Sequence, residues 1–246
     1  MALPEVTTRE EWLRARKDLL VREKELTRAQ DALAADRRRL PMVQVTTDHR
    51  FTGPDGEVGL LDLFAGRDQL VVQHVMFDPS WDEVCPSCTA ALDELSDGLL
   101  RHLNARRTTF TAVSRAPYGK LAASAAARGW TFPWVSSHGS RFNHDFHATL
   151  DPGVAPVQLN HRDADELRAA GMGWALEQPG EVPGYSCFLT DGGRVFHTYS
   201  TFARGTEQLG GAYAFLDMTA LGRQEAWQEP HDRVPDARGA VPNFAD

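Results

Sequence analysis

Apolar residues return every seventh position near the start of the chain, at Trp12, Leu19, Leu26, Leu33 and Leu40. Thr8-Arg9-Glu10-Glu11 fits a capping box, and Pro41 is a stop signal. The spacing therefore predicts one helix over residues 9–40. Arg16, Glu23 and Gln30 hold the alternate heptad positions, so the apolar stripe is narrow. It suits a surface helix laid against its own body, or an arm that pairs with a second copy of the chain.

Beyond Pro41 the period changes. Val43–Phe51 reads as a strand, followed by a turn at Gly53-Pro54-Asp55-Gly56 and a second apolar run to Phe64, a hairpin signal. Leu70–Phe77 is a continuous apolar run with the look of a buried strand. Cys88–Arg106 reads as one helix, with Leu92, Leu95, Leu99, Leu100 and Leu103 on one side. Thr108–Val113 is β-rich, Tyr118–Arg128 is an Ala-rich helix stopped by Gly129, and Phe132–Val135 is a short strand. Residues 148–184 carry four prolines and read as an insertion of loops with one short helix near Asp163–Ala170. Tyr185–Thr190, Asp191-Gly192-Gly193 and Arg194–Tyr199 form the clearest hairpin, and Gly211–Leu221 a closing helix. The tail from Arg223 reads as an extended strap, with Trp227 and Phe244 as anchors.

This divides the chain into a helical arm (1–41), a body (42–222, with the insertion at 148–184) and a tail (223–246). Charge follows the same division. Residues 9–40 hold ten Lys/Arg against seven Asp/Glu, which leaves 16 against 27 elsewhere in a chain of net charge −8. An acidic body argues against nucleic-acid or acidic-membrane binding. No apolar run approaches the ~20 residues of a membrane span, and the N-terminus does not resemble a secretory signal. The expected location is the cytoplasm.

Two of the three cysteines form Cys85-Pro86-Ser87-Cys88, between a predicted strand and a predicted helix. A strand, a loop, C-x-x-C and a helix is the local layout of a dithiol redox site. Pro86 suits the first helical position. Free helix-terminal N–H groups favour a thiolate at Cys85, and Cys88, one turn in, would resolve a mixed disulfide. Asp82 and Glu83 oppose that thiolate. A zinc site wants four ligands and there is no second C-x-x-C. A weaker metal alternative joins Cys85 and Cys88 to His144 and His147, which at i, i+3 could share a helix face. Cys187 lies in an apolar strand and reads as a buried thiol. Trp81, Pro86, Trp130, Trp134, Tyr185 and Ser186 are candidates for a substrate groove. No P-loop, G-x-G-x-x-G or G-x-S-x-G occurs, and no cofactor is expected.

One βαβ unit joined to a terminal hairpin and helix is a thioredoxin-type layout, so the expected fold is α/β: a thioredoxin-like mixed sheet flanked by helices. From Gly56 onward the chain resembles the thioredoxin and peroxiredoxin-like superfamily. Cys85-Pro86-Ser87-Cys88, Ser114-Arg115-Ala116-Pro117, Gly129–Ser137, Val195–Thr201 and Leu216–Arg223 resemble a little-characterised bacterial family within it, catalogued as a domain of unknown function. The resemblance implies a thiol–disulfide oxidoreductase acting on an unknown thiol or disulfide client. Two departures stand out. Thioredoxins place a cis-proline near the position of Ser186, and Trp81 is not adjacent to Cys85. Val84-Cys85-Pro86 also looks like a peroxidatic cysteine, which makes a thiol peroxidase the enzymatic alternative. Those enzymes carry Thr or Ser where Asp82 stands, and an arginine for which Arg115 would have to substitute. A metal- or partner-binding module is the non-enzymatic alternative, with the N-terminal helix as contact surface and a homodimer as one outcome.

Overall fold

Thr8 starts the first helix by satisfying two backbone groups reciprocally. In the computed structural model, which describes residues 4–209 and 211–220, its hydroxyl accepts from the Glu11 amide at 3.2 Å, and the Glu11 carboxylate accepts from the Thr8 amide at 3.2 Å. Helix α1 (Arg9–Arg37) stops short of Leu40, because Arg38–Leu40 wind into a tighter turn through the Asp36 and Arg37 carbonyls. No residue of α1 is buried. Residues 42–215 form one compact unit, and α1 belongs to another with residues 216–220. The expected tail from Arg223 lies outside the described residues.

In the larger unit, β1 (Val43–Val45) and β2 (Arg50–Gly53) replace the single strand expected over 43–51. They part because they pair with different partners: β1 with β10 (Arg194–Phe202) on one side of the sheet, β2 with β3 (Gly56–Gly59) and β6 (Trp134–Ser136) on the other. Only residues 46–49 join them. β4 (Gln69–His74) leads through a loop to α2 (Pro86–Asp93) and α3 (Asp97–Ala105), then β5 (Thr108–Ser114), α4 (Tyr118–Arg128) and β6. The single helix expected over 88–106 is thus two. Ser96 decides the break: its hydroxyl accepts from the Leu99 amide at 3.1 Å, an N-cap that outcompetes continuation of α2.

The insertion is more ordered than its prolines suggest. After α5 (Phe142–Asp145), which precedes it, it carries β7 (Thr149–Leu150), α6 (Ala164–Ala169), a 3-10 turn at Gly173–Leu176 and β8 (Gly180–Glu181). The β7–β8 pair and a small core around Leu150, Val157, Leu159 and Leu167 close it on itself. The hairpin β9 (Gly184–Asp191) and β10 follows, and α7 (Ala212–Leu216) is shorter than the closing helix expected. There the Thr219 amide and hydroxyl both donate to the Leu216 carbonyl and end the run.

Among the described residues the main sheet has the order β1-β10-β9-β4-β5-β6-β2-β3. β4, β5 and β6 are parallel, while β9 runs antiparallel to β4 and to β10. The segment β10-β9-β4-β5, with a parallel pair beside a terminal hairpin, is the thioredoxin arrangement. Alternation along β4 sorts its residues between two cores. Leu70 and Val72 meet Phe51, Phe64, Phe142 and Phe188 on one face; Val71 joins Phe77, Cys88, Leu92, Leu121 and Trp134 on the other. The dithiol belongs to the second.

Candidate active site

The Cys85 amide donates to the Met76 carbonyl at 3.1 Å, folding residues 77–84 into a loop that returns the chain to the end of β4. Cys85 is the N-cap of α2 and Pro86 its first residue. An N-cap side chain faces the unpaired amides of the first turn. The Cys85 sulfur lies 3.1 Å from the Ser87 hydroxyl, and its thiol is brought down to about 5. The largest cause is a hydrogen bond from Cys88, opposed by burial and helped by the Ser87 hydroxyl and the amides of residues 87 and 88. Helix position and hydrogen bonds, rather than the acidic flank of Asp82 and Glu83, chiefly set this group.

Cys88 is 4% exposed and accepts the Met76 amide at 3.4 Å. Its thiol is pushed well above the ordinary range, first by the hydrogen bond it gives to Cys85, then by burial and the Cys85 charge. Both cysteines are free thiols. One is half-buried and disposed to ionise, the other is enclosed and holds its proton.

The loop before Cys85 is tied down. Lys120 Nζ donates to the carbonyls of Pro79 (3.0 Å) and Trp81 (2.6 Å), and Arg115 pairs with Asp78 at 2.9 Å. Burial pushes the Asp78 carboxyl up, but Ser80, Arg115 and Lys120 outweigh it and hold it below its usual value. Arg115 Nε also lies 3.2 Å from Glu181, whose side chain is 2% exposed and accepts from Thr149. Burial raises the Glu181 carboxyl to about 7 against the Arg115 charge, and Glu181 in turn raises Cys88. No local motif marks Glu181: it is a short-strand residue in the insertion, and only pairing with β7 carries it inward.

The groove candidates divide. Trp81 is 38% exposed on the loop, Pro86 stands beside Cys85, and Trp130 is half-buried with its indole N–H donating to Asp93 at 2.8 Å. Tyr185 packs with the Cys85–Cys88 core, and burial followed by the Cys88 charge raises its hydroxyl. Trp134 is buried and donates to Ser114 at 3.0 Å, so it offers no open surface. Ser186 pairs in register with Val72 and therefore faces the opposite core, where it bonds His74 at 2.8 Å and Ser200 at 2.8 Å. Cys187 pairs with Val71 and lies on the dithiol side of the sheet.

The ligand set Cys85, Cys88, His144 and His147 is not assembled. α5 ends at Asp145, so His147 leaves the helix with φ 53° instead of sharing its face with His144. Among the described residues no group of three or more His, Cys, Asp or Glu is placed to hold a metal ion. Nor is any described helix long and apolar enough to cross a membrane.

A family model described as bacterial protein of unknown function (DUF899) matches residues 1–235. The chain belongs to that family. None of the curated proteins matches it. Among solved structures it is similar to the bacterioferritin comigratory protein of Xanthomonas campestris, for which alkyl peroxide reduction is described. Identity is 14% over 69% of this chain and 94% of that chain, with a TM-score of 0.43. The peroxidoxin BcpB of Mycobacterium tuberculosis gives 14% over 69% and 92%, with a TM-score of 0.43. A candidate protein disulfide isomerase of Bacteroides thetaiotaomicron gives 24% over 41% and 63%, with a TM-score of 0.30.

Proposed function

We propose that this DUF899 protein is a thiol–disulfide oxidoreductase with Cys85 as nucleophile and Cys88 as resolving thiol. The observation that carries the reading is the inequality of the two sulfurs: Cys85 brought down to about 5 at a helix N-cap, Cys88 enclosed and protonated. At neutral pH the Cys85 thiolate attacks a client disulfide, forming a mixed disulfide and expelling one client thiolate. Cys88 then loses its proton and attacks the Cys85 sulfur. The intramolecular disulfide closes, and the second client sulfur leaves. Two electrons pass from the dithiol to the client, which departs as two thiols. Glu181 has the proton affinity to take up the Cys88 proton, since its carboxyl sits at about 7 and its charge acts on that sulfur. The reading includes a cytoplasmic setting, where thiol pools keep such pairs in play.

A turbidity assay of insulin reduction tests it. Wild type is expected to accelerate precipitation with a dithiol donor, and Cys85→Ser to abolish the acceleration; equal rates would end the proposal. The peroxidase alternative predicts that peroxide alone converts Cys85 to a sulfenic acid in Cys88→Ser, while disulfides leave Cys85 unmodified.

A further inference from the structure

The carboxyl ends of the parallel strands β4, β5 and β6 open onto a cavity of about 310 Å³. In open sheets the crevice beyond these strand ends is where ligands are held. Pro79 and Val154 supply apolar wall; Arg115, Arg141, His138 and His144 supply the polar lining. Two features suit an anion. Each guanidinium carries five N–H donors. Arg115 is held in place by Asp78 and Glu181 at 21% side-chain exposure, while Arg141 pairs with Asp145 at 3.2 Å and is 59% exposed. Independently, His144 lines the cavity, and its buried Nδ1 has no protein hydrogen-bond partner. Burial and then the neighbouring Arg115 charge lower the His144 ring below its ordinary value. Asp145 and Asp151 are the carboxylates that also act on it.

The cavity and the dithiol are linked through Arg115, which lines the cavity and pairs with Glu181, whose charge acts on Cys88. The Cys85 amide bonds the Met76 carbonyl at 3.1 Å, and the Ala116 amide bonds the Phe77 carbonyl at 2.8 Å. Cys85 and the Arg115–Ala116 pair thus flank the end of β4 from either side.

We propose that this cavity holds the anionic end, a carboxylate or phosphate, of a small disulfide that the Cys85–Cys88 pair reduces. The client is small, with its charged group in the cavity and its disulfide at Cys85. The proposal rests on the thiol–disulfide reading above and narrows its client to an acidic small molecule. A body of net negative charge works against non-specific preference for anions, so such a preference would report a site.

The test is single-turnover oxidation of the reduced full chain, followed by loss of free thiol. The probes are glutathione disulfide (carboxylate), coenzyme A disulfide (phosphate), hydroxyethyl disulfide (neutral) and cystamine (cationic). At least one acidic probe is expected to saturate and to react about tenfold faster than the neutral one, the factor expected for one charge-assisted contact. Arg141→Gln should collapse that acidic-to-neutral ratio, and Arg141→Lys should restore part of it. Whichever acidic probe leads identifies the head group. Equal rates across the four probes, or a ratio that Arg141→Gln does not move, overturns the cavity's role while leaving the dithiol reading intact. Failure of all four to oxidise the pair overturns both.

Discussion

The division of labour between the two sulfurs depends on a hydrogen bond that runs one way. Cys88 donates a hydrogen bond to the Cys85 sulfur and is thereby held protonated. Alkylation of Cys85 by iodoacetamide should therefore rise with pH around a midpoint near 5. Cys88→Ala, which removes the largest cause, should move the midpoint up toward the ordinary thiol value of about 8.5. An unchanged midpoint in Cys88→Ala would mean that the helix start and Ser87 suffice. Glu181→Gln removes the acceptor proposed for the Cys88 proton. It should slow closure of the Cys85–Cys88 disulfide above pH 7 by about 10²-fold or more, the usual range for a lost general base, without slowing formation of the mixed disulfide. Quenched-flow trapping separates the two steps. Cys85, Pro86 and Cys88 were legible in sequence because their chemistry is local: a cap, a first-turn proline and a sulfur one turn on. Glu181 was not, because its proton affinity comes from burial by residues distant in sequence.

Elements obey the same distinction. α4 was legible to the residue, since Ala-rich sequence and a left-handed Gly129 bound it on their own terms. The Cys88–Arg106 stretch misled because its leucines keep helical spacing across a break that one hydroxyl imposes. Ser96→Ala should destabilise the larger unit by about 1 kcal/mol, the usual worth of an N-cap, read as a lower urea midpoint at constant slope. If α2 and α3 fused instead, helical ellipticity would rise. On α1, Trp12, Leu19, Leu26 and Leu33 are all exposed. A dimer arm predicts that Leu19→Asp with Leu26→Asp halves the sedimenting mass, whereas a surface helix predicts one mass for both proteins.

Across the whole molecule, histidines set the response to acid. His74 is fully buried, bonded through Ser186 and Ser200 to His197, and burial lowers it to about 3. His49, His144, His147 and His197 are lowered too, each chiefly by burial. An unfolded histidine takes a proton below about 6.5, and the folded His74 refuses it until about 3. The unfolded state thus binds more protons throughout that window, and stability falls with pH at about 1.4 kcal/mol per pH unit for this group alone. Glu181 acts oppositely between about 4.5 and 7, where its raised carboxyl favours the folded state as pH falls. Below about pH 4.5 that opposition ends and the His74 slope is uncompensated by Glu181. Urea titrations from pH 7 to about 3 check this, and His74→Gln, which keeps a hydrogen bond but cannot titrate, should flatten the slope. The mixed sheet was legible from the order of patterns. The way its edges relate was not, because nothing local distinguishes one strand over 43–51 from two strands on opposite sides.

That link acts as a ruler. Six strand spacings lie between β1 and β2 in the sheet order, roughly 29 Å on a flat sheet. The chain from Val45 to Arg50 reaches at most about 19 Å. A flat sheet is therefore geometrically forbidden, and the two sides must bend toward each other around the phenylalanine core. The length of residues 46–49 is a tether that limits how far the sheet can uncurl, and a glycine-serine extension there would let it out.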